Sequence, residues 1–380
     1  MKTKKLAIIG TSYLQVPLIL KAKEMGIETH AFAWAANDIG EKLSDYFYPI
    51  SIVEKELILK KCREIHIDGI CSIASDLAIQ TVNYVACALG LTSNSMECTA
   101  VSTKKHLMRE RFSLRDDPSP VSYMISNEEE AKERNLSYPI IVKPLDRSGS
   151  RGITKVCNPK ELKEAIKKAR NEGFDKHVLI EEFVEGDEYS VEYISWQGEH
   201  HFLTLTKKYT TGAPAFIETG HLQPAPVSQE LLERIKMVVS HALDSLEVEY
   251  GASHSELKVD EKGSIKIIEI GARMGGDLIG SHLVRLSTGF DFLKAVIDIA
   301  MGNKPELIFD SHYDASAVRY ILDSDGYQSL RIIKETESIH IIESDLENKP
   351  GNEVTDSGNR WGYLLAAFDN RDEALQFMNV

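Results

Sequence analysis

Two glutamates thirteen residues apart, Glu256 and Glu269, constrain this chain more than any other feature. They sit in the runs His254-Ser-Glu-Leu-Lys258 and Ile-Ile-Glu269-Ile-Gly-Ala-Arg273-Met-Gly-Gly-Asp277. Both runs are apolar and β-branched around the glutamate, where an unpaired carboxylate would be costly. Asp260-Glu-Lys-Gly263-Ser264 between them is a turn signal, so the runs form a β-hairpin. A turn over Glu261 to Ser264 sets the glutamates directly opposite each other, and a two-residue turn leaves them diagonal but on the same face. Like charges so placed repel unless a cation lies between them. A hard divalent ion, held by carboxylate oxygens and bridging to phosphates, meets that need. Plain ion pairs with Lys258 and Arg273 are the alternative.

The rest of the composition sets limits. A chain of 380 residues is long for one core and is expected to divide into roughly two or three domains. With 43% hydrophobic and 27% charged residues it reads as a globular protein, and a formal charge of -14 argues against nucleic acid or an anionic membrane as main partner. The five cysteines (62, 71, 87, 98 and 157) contain no CxxC pair, which points to a reducing compartment without zinc or disulfides. Met1 to Gly10 reads as a first strand and not as an export signal, and no stretch approaches the roughly 18 apolar residues of a membrane span. A cytoplasmic location is expected.

Up to about residue 100, short apolar runs alternate with helical patterns: strands at 6–9, 29–33 and 69–73, helices at 16–25, 54–65 and 77–89. This alternation implies a parallel sheet covered on both faces. Asp76, at the start of the last helix, is read as an N-cap, with a place on a ligand rim as the alternative. A charged helix from Lys104 ends near Asp116-Asp117-Pro118, a plausible boundary. A second unit follows with strands at 140–143 and 178–181 around a helix at 159–171, then β-rich segments at 189–196 and 201–209 and a helix at 291–301. Beyond Pro305 the chain is β-rich again and closes with a short amphipathic helix from Arg371.

Two further stretches carry chemistry. Lys143 closes the apolar strand Tyr138-Pro-Ile-Ile-Val-Lys143-Pro, where a buried ammonium is expensive unless it meets an anion. The loop Ser148-Gly149-Ser150-Arg151-Gly152 after it lets backbone N–H groups and hydroxyls converge on phosphate oxygens, though it lacks a P-loop ending. In Glu181-Glu182-Phe183-Val184-Glu185-Gly186-Asp187-Glu188, an apolar strand ends in acids, turns and resumes. Such an edge can offer backbone groups and a carboxylate to a purine and a second carboxylate to a ribose.

Taken in order, these stretches resemble the ATP-grasp superfamily, from the N-terminal α/β region to at least Met301. The resemblance implies an N-terminal parallel-sheet domain like that of biotin carboxylase over 1–100. An ATP-grasp domain over 101–309 follows (small lid about 122–185, large subdomain about 186–309), then a β-rich unit over 310–380. It implies ATP and Mg²⁺, with Mn²⁺ as a substitute. Lys105, with Lys104 as fallback, and Lys143 would hold phosphates beneath the Ser148, Gly149, Ser150 and Gly152 flap. Glu181, Glu182, Phe183 and Val184 would form the adenine hinge and Glu188 the ribose contact. Glu256 and Glu269 would bind magnesium, and Arg273 would stabilise the phosphorylated intermediate. One departure is visible: many members carry Asn two residues after the second glutamate, where this chain has Gly271.

The segment Glu218-Thr-Gly220-His221, with Gly276 and Asp277 after the metal strand, is similar to the L-amino acid ligases that make dipeptides. There a glutamate and a histidine three apart line the substrate pocket with the arginine and a glycine, so Glu218, His221, Arg273, Gly276 and Asp277 are the expected substrate residues. The alternatives are a loop histidine satisfied by backbone for His221 and a solvated loop carboxylate for Glu218. The implied reaction joins a carboxylate to an amine through an acylphosphate, releasing ADP. Its partners would be small molecules, and a homodimer fits ligases of this build. The rivals are a carboxylating enzyme, biotin carboxylase-like or purine-biosynthetic, that phosphorylates bicarbonate or formate, and a nucleotide-binding protein without turnover.

Overall fold

The computed structural model describes residues 3–146, 152–213, 215–335, 339–346 and 351–379. The N-terminal strands form a parallel sheet in the order Tyr46–Tyr48, Glu28–Phe32, Lys5–Ile9, Gly69–Cys71. Leu6 to Ile9 are fully buried on both faces, as a central parallel strand requires. Leu6 and Ile8 pack towards the helix Phe292–Ala300, while Ala7 and Ile9 face the helices Lys55–Ile65 and Asp76–Leu89.

A small antiparallel sheet, ordered Ser122–Ile125, Val178–Glu182, Ile140–Pro144, Thr154–Val156, is backed by the amphipathic helix Leu162–Glu172. The large sheet has eight strands, in the order Ile265–Gly271, Tyr250–Val259, Asp187–Trp196, Glu199–Thr210, Glu218–Gln223, Ala315–Ile321, Gly362–Phe368, His340–Asp345. The strands after Pro305 thus continue the sheet that carries the glutamate hairpin. Glu218 and His221 lie on a strand and not on a loop, because Glu218–Gln223 is hydrogen-bonded on both sides.

The longest helix, Gln229–Ser245, was not anticipated from sequence. Its signals are ordinary: Ser228 caps it by accepting the Leu231 N–H, and Ile235, Val239, Ala242 and Leu243 form one buried stripe. That stripe packs with Tyr189, Val191, Tyr193 and Leu257 under the large sheet. The opposite face of the sheet therefore forms the wall of a cleft.

Candidate active site

Strand alternation builds the cleft wall. Tyr189, Val191 and Tyr193 point into the core, so Glu188, Ser190 and Glu192 point the other way. Pairing sets Lys258, Glu256 and His254 beside them on one side and Lys208, Thr206 and Thr204 on the other. Glu256 stands directly opposite Glu269. The hairpin loop is one residue longer than the expected four-residue turn, running from Asp260 to Ser264, and a bulge between Glu256 and Leu257 restores the opposition.

Each glutamate has a cation, but not the ones expected. Lys208 Nζ lies 2.6 Å from Glu256, 3.1 Å from Glu188 and 3.8 Å from Glu218. Lys105 Nζ lies 2.7 Å from Glu269, while Lys104 is exposed. Burial opposes the charge on Lys208, yet the surrounding carboxylates hold its pKa well above 10.5. Burial likewise opposes ionisation of Glu256, and Lys208 and His254 overcome it, leaving its pKa well below the carboxylate norm. Among the described residues no group of three or more His, Cys, Asp or Glu forms a metal cage. Magnesium asks for less, commonly one or two carboxylates with water and phosphate completing the shell, and Glu256 and Glu269 fit that requirement.

Across the cleft, Lys143 Nζ is 2.5 Å from Glu181, whose other oxygen accepts Arg109 Nε at 2.8 Å. These three side chains are almost fully buried. Burial pulls the Lys143 ammonium below its ordinary pKa, with Glu181 countering in part. The Glu181 carboxylate is thus committed to two cations, unlike the neighbouring Phe183, whose ring lines the cleft. Lys155 Nζ sits 3.6 Å from the Phe183 ring centre. Lys105, Lys143, Phe183, Glu188, Glu256 and Glu269 all line one cavity of about 240 Å³. Gly152 has φ +73°, a conformation that favours glycine; Ser148, Gly149 and Ser150 lie outside the described residues.

Asp76 is not the cap its position suggests. Ser75 caps the helix by accepting the Ala78 N–H, and Asp76 grips Arg273 through two bonds of 2.8 and 3.0 Å. Burial opposes the guanidinium charge, but Asp76 more than offsets it and raises the Arg273 pKa further. A Cβ on Gly271 would lie 2.9 Å from Asp76 Oδ1 and 3.2 Å from the Arg273 guanidinium. Asp76 therefore occupies the space into which an Asn at 271 would project.

A second cavity of about 380 Å³ adjoins the first, sharing Lys208, Glu218, Glu256 and Arg273 with it. His221, Gly276 and Asp277 line it as well. His221 is fully buried and, among the described residues, neither ring nitrogen has a hydrogen-bond partner. Asp277 Oδ2 stands 4.0 Å away, beyond hydrogen-bond reach. Burial lowers the His221 pKa, so the ring is neutral at pH 7. Asp277 Oδ1 accepts Arg360 Nη2 at 2.9 Å, and Arg360 stacks 3.6 Å over Tyr320. Burial opposes ionisation of Asp277, but the Arg360 guanidinium beside it holds its carboxyl below the usual carboxylate range. Ser357 donates to Glu218, so the segment Asp356 to Arg360 braces both acidic residues of the chamber.

Residues 136–281, from the strand of Lys143 through both glutamates to the Asp277 loop, match the ATP-grasp domain. The chain carries an ATP-grasp domain. The likeness in fold extends beyond that stretch: an L-amino acid ligase from Bacillus licheniformis superposes with a TM-score of 0.86 at 23% identity, over 99% of this chain and 96% of that one. Dapdiamide A synthase of Enterobacter agglomerans is 28% identical over 204 residues, 50% of this chain and 46% of the relative. A formate-dependent phosphoribosylglycinamide formyltransferase of Prochlorococcus marinus is 24% identical over 262 residues, 64% of this chain and 63% of the relative. The chain thus spans between about half and two-thirds of the curated relatives' lengths.

Sequence reasoning missed Lys208, Arg109, Glu192, His254 and Arg360 as parts of this ATP-grasp cleft and chamber. For two of them, Glu192 and His254, a signal existed: Glu188, Ser190 and Glu192 share one parity, as do His254, Glu256 and Lys258, which marks a polar face on an otherwise buried sheet. Nothing in the sequence brings Arg360 to Asp277.

Proposed function

We propose that this chain is an ADP-forming carboxylate–amine ligase that joins an amino acid, or a similar carboxylate, to an amine. ATP would lie in the first cavity, with its base against Phe183 and the backbone of Glu182 to Val184 and its ribose at Glu188. Lys105 and Lys143 would neutralise the phosphates. Glu256 and Glu269 would hold magnesium, which supplies charge compensation at the transferring phosphoryl group. A substrate carboxylate oxygen attacks the γ-phosphorus as its bond to ADP breaks. The amine nitrogen then bonds to the acyl carbon, the carbon–oxygen bond to the phosphate breaks, and inorganic phosphate leaves with the proton that the amine gives up. The chain's contribution is position and charge: Arg273 would stabilise the oxyanion after amine attack, and Glu218, His221, Gly276 and Asp277 would shape the acid's pocket.

One observation carries this reading. The paired glutamates and the two lysines converge on a cavity that opens, past Arg273 and Lys208, into a chamber with a neutral buried histidine and two braced carboxylates. Phosphoryl transfer and acceptor binding thereby have adjoining places. The decisive experiment is a phosphate-release screen over pairs of common amino acids with Mg²⁺ and ATP, with bicarbonate and formate as separate arms. ADP and phosphate appearing only with amino acids is the expected result. Pyrophosphate release would replace the acylphosphate with adenylate chemistry. Turnover with bicarbonate or formate alone would favour the carboxylating reading, which the formate-dependent relative keeps in play.

A further inference from the structure

Behind the wall shared by the two cavities lies a carboxylate that the proposed reaction does not use. Glu192 sits on Asp187–Trp196 directly opposite His254 and is fully buried. A carboxylate without solvent is costly unless its oxygens are held. Both are: one contacts His254 Nδ1, and the other accepts the Gly275 N–H at 3.3 Å. The far side of the same imidazole, Nε2, faces Glu256 Oε1 at 3.4 Å. A continuous line therefore runs from the Gly275 backbone through Glu192 and His254 to Glu256.

The line joins two different jobs. Glu256 is one of the paired acids of the cleft, and Gly275 lies between Arg273 and Asp277 on the loop that enters the chamber. The packing leaves no slack: a Cβ on Gly275 would lie 2.7 Å from His254 Nδ1 and 3.1 Å from Glu192 Oε2. His254 itself lines both cavities. Its two ring nitrogens each face a carboxylate, Nδ1 that of Glu192 and Nε2 that of Glu256, so its orientation is set from both sides. A pair wanted only for cohesion has no need of such directed contacts, since apolar residues of similar volume fill a buried site at least as well.

We infer that Glu192 and His254 are a positioning pair that fixes Glu256 for divalent-metal binding and, through Gly275, ties that geometry to the Arg273–Asp277 loop. This rests on the ligase reading, in which Glu256 meets a metal held with the nucleotide. Partners behind a ligand of this kind typically change metal affinity by about 10–100-fold when removed.

The test measures Mn²⁺ binding to the full chain by electron paramagnetic resonance, with a non-hydrolysable ATP analogue present. Glu192→Gln keeps an acceptor for Gly275 but removes the carboxylate that holds the His254 ring. It is expected to weaken Mn²⁺ binding by about 10–100-fold while nucleotide binding without metal stays unchanged. Glu192→Asp, which keeps the charge, should recover part of the loss. The apolar pair Glu192→Leu/His254→Phe guards against misfolding: it should melt at or above the wild-type temperature and still bind Mn²⁺ weakly. Wild-type Mn²⁺ affinity in any folded variant lacking the Glu192 charge overturns the positioning role. Failure of the wild-type protein itself to bind Mn²⁺ with the analogue would instead overturn the ligase reading beneath it.

Discussion

Two buried histidines on the same sheet, His254 in the cleft wall and His221 in the chamber, have opposite fates. His254 lies between Glu192 and Glu256 and keeps its proton to about pH 9. His221 is equally buried, but the nearest carboxylate, Asp277, is already committed to Arg360, so desolvation prevails and the ring is neutral. The difference is one of occupancy. In the cleft every charge has a partner before any ligand arrives: Lys208 on Glu256, Lys105 on Glu269, Lys143 on Glu181. In the chamber a buried ring waits with both nitrogens unpaired among the described residues. A cleft of that kind binds by exchanging one set of counter-ions for another. A chamber of this kind binds by satisfying groups left open, and such groups discriminate strongly among ligands.

The largest effect should come from unbalancing the cleft. Glu269→Gln removes a proposed metal ligand and frees Lys105, and should lower kcat for phosphate release by about 10²–10³-fold with an unchanged circular dichroism spectrum. Full activity would return the hairpin to a structural role and erase the contrast. Next comes the space at Gly271. Gly271→Asn should not add a ligand, because its side chain meets Asp76; it should displace Arg273 and cost roughly 10-fold or more in kcat, as a misplacement near 1 Å can. An accompanying Asp76→Gly tests the steric cause: relief of the defect supports it, and an unchanged loss refutes it.

Smaller still is the effect expected in the chamber. Arg360→Ala leaves Asp277 without its cation and should raise KM for the acid substrate by about 10-fold, the scale of one charged hydrogen bond, with KM for ATP unchanged. Equal changes in both constants would mean that the two cavities are not separable. The gentlest probe is pH. The folded pKa of His254 is raised, so its stabilisation is complete below pH 6.5 and fades as pH rises towards about 9. The folded pKa of His221 is lowered, so its contribution is complete above pH 6.5 and fades as pH falls below that. Melting temperature should therefore sag on both sides by a few degrees, on the order of 2–4 °C per kcal/mol. His221→Gln should flatten the acid side only and His254→Gln the alkaline side only; thermal unfolding across pH measures both.

The cleft was more legible in the sequence than the chamber, for a physical reason. Glu256, Glu269 and Lys143 are charges inside short apolar strands, so each advertises its own cost. A turn of two or four residues would keep the glutamates on one face; the five-residue loop would part them, and the bulge between Glu256 and Leu257 brings them back together. Lys208 gave no such sign: in Thr206-Lys-Lys-Tyr209 either lysine could point inward, and only pairing with Glu188 decides. Asp76 and Arg360 were hidden differently. Each reaches its partner from a distant segment, 197 residues away for Asp76 and Arg273 and 83 for Asp277 and Arg360. Local pattern carries no information about such encounters. The helix Gln229–Ser245 carries local signals, the Ser228 cap and an apolar stripe, that need no tertiary partner to be seen.

The strand order of the large sheet has a consequence for biosynthesis. A ribosome delivers the glutamate hairpin well before the strand Gly362–Phe368 and the Arg360 that precedes it, yet the chamber's far wall hangs on those later strands. Because Arg360 and the strand behind it are delivered last, the chamber is the part of the molecule that cannot be complete until synthesis is nearly over.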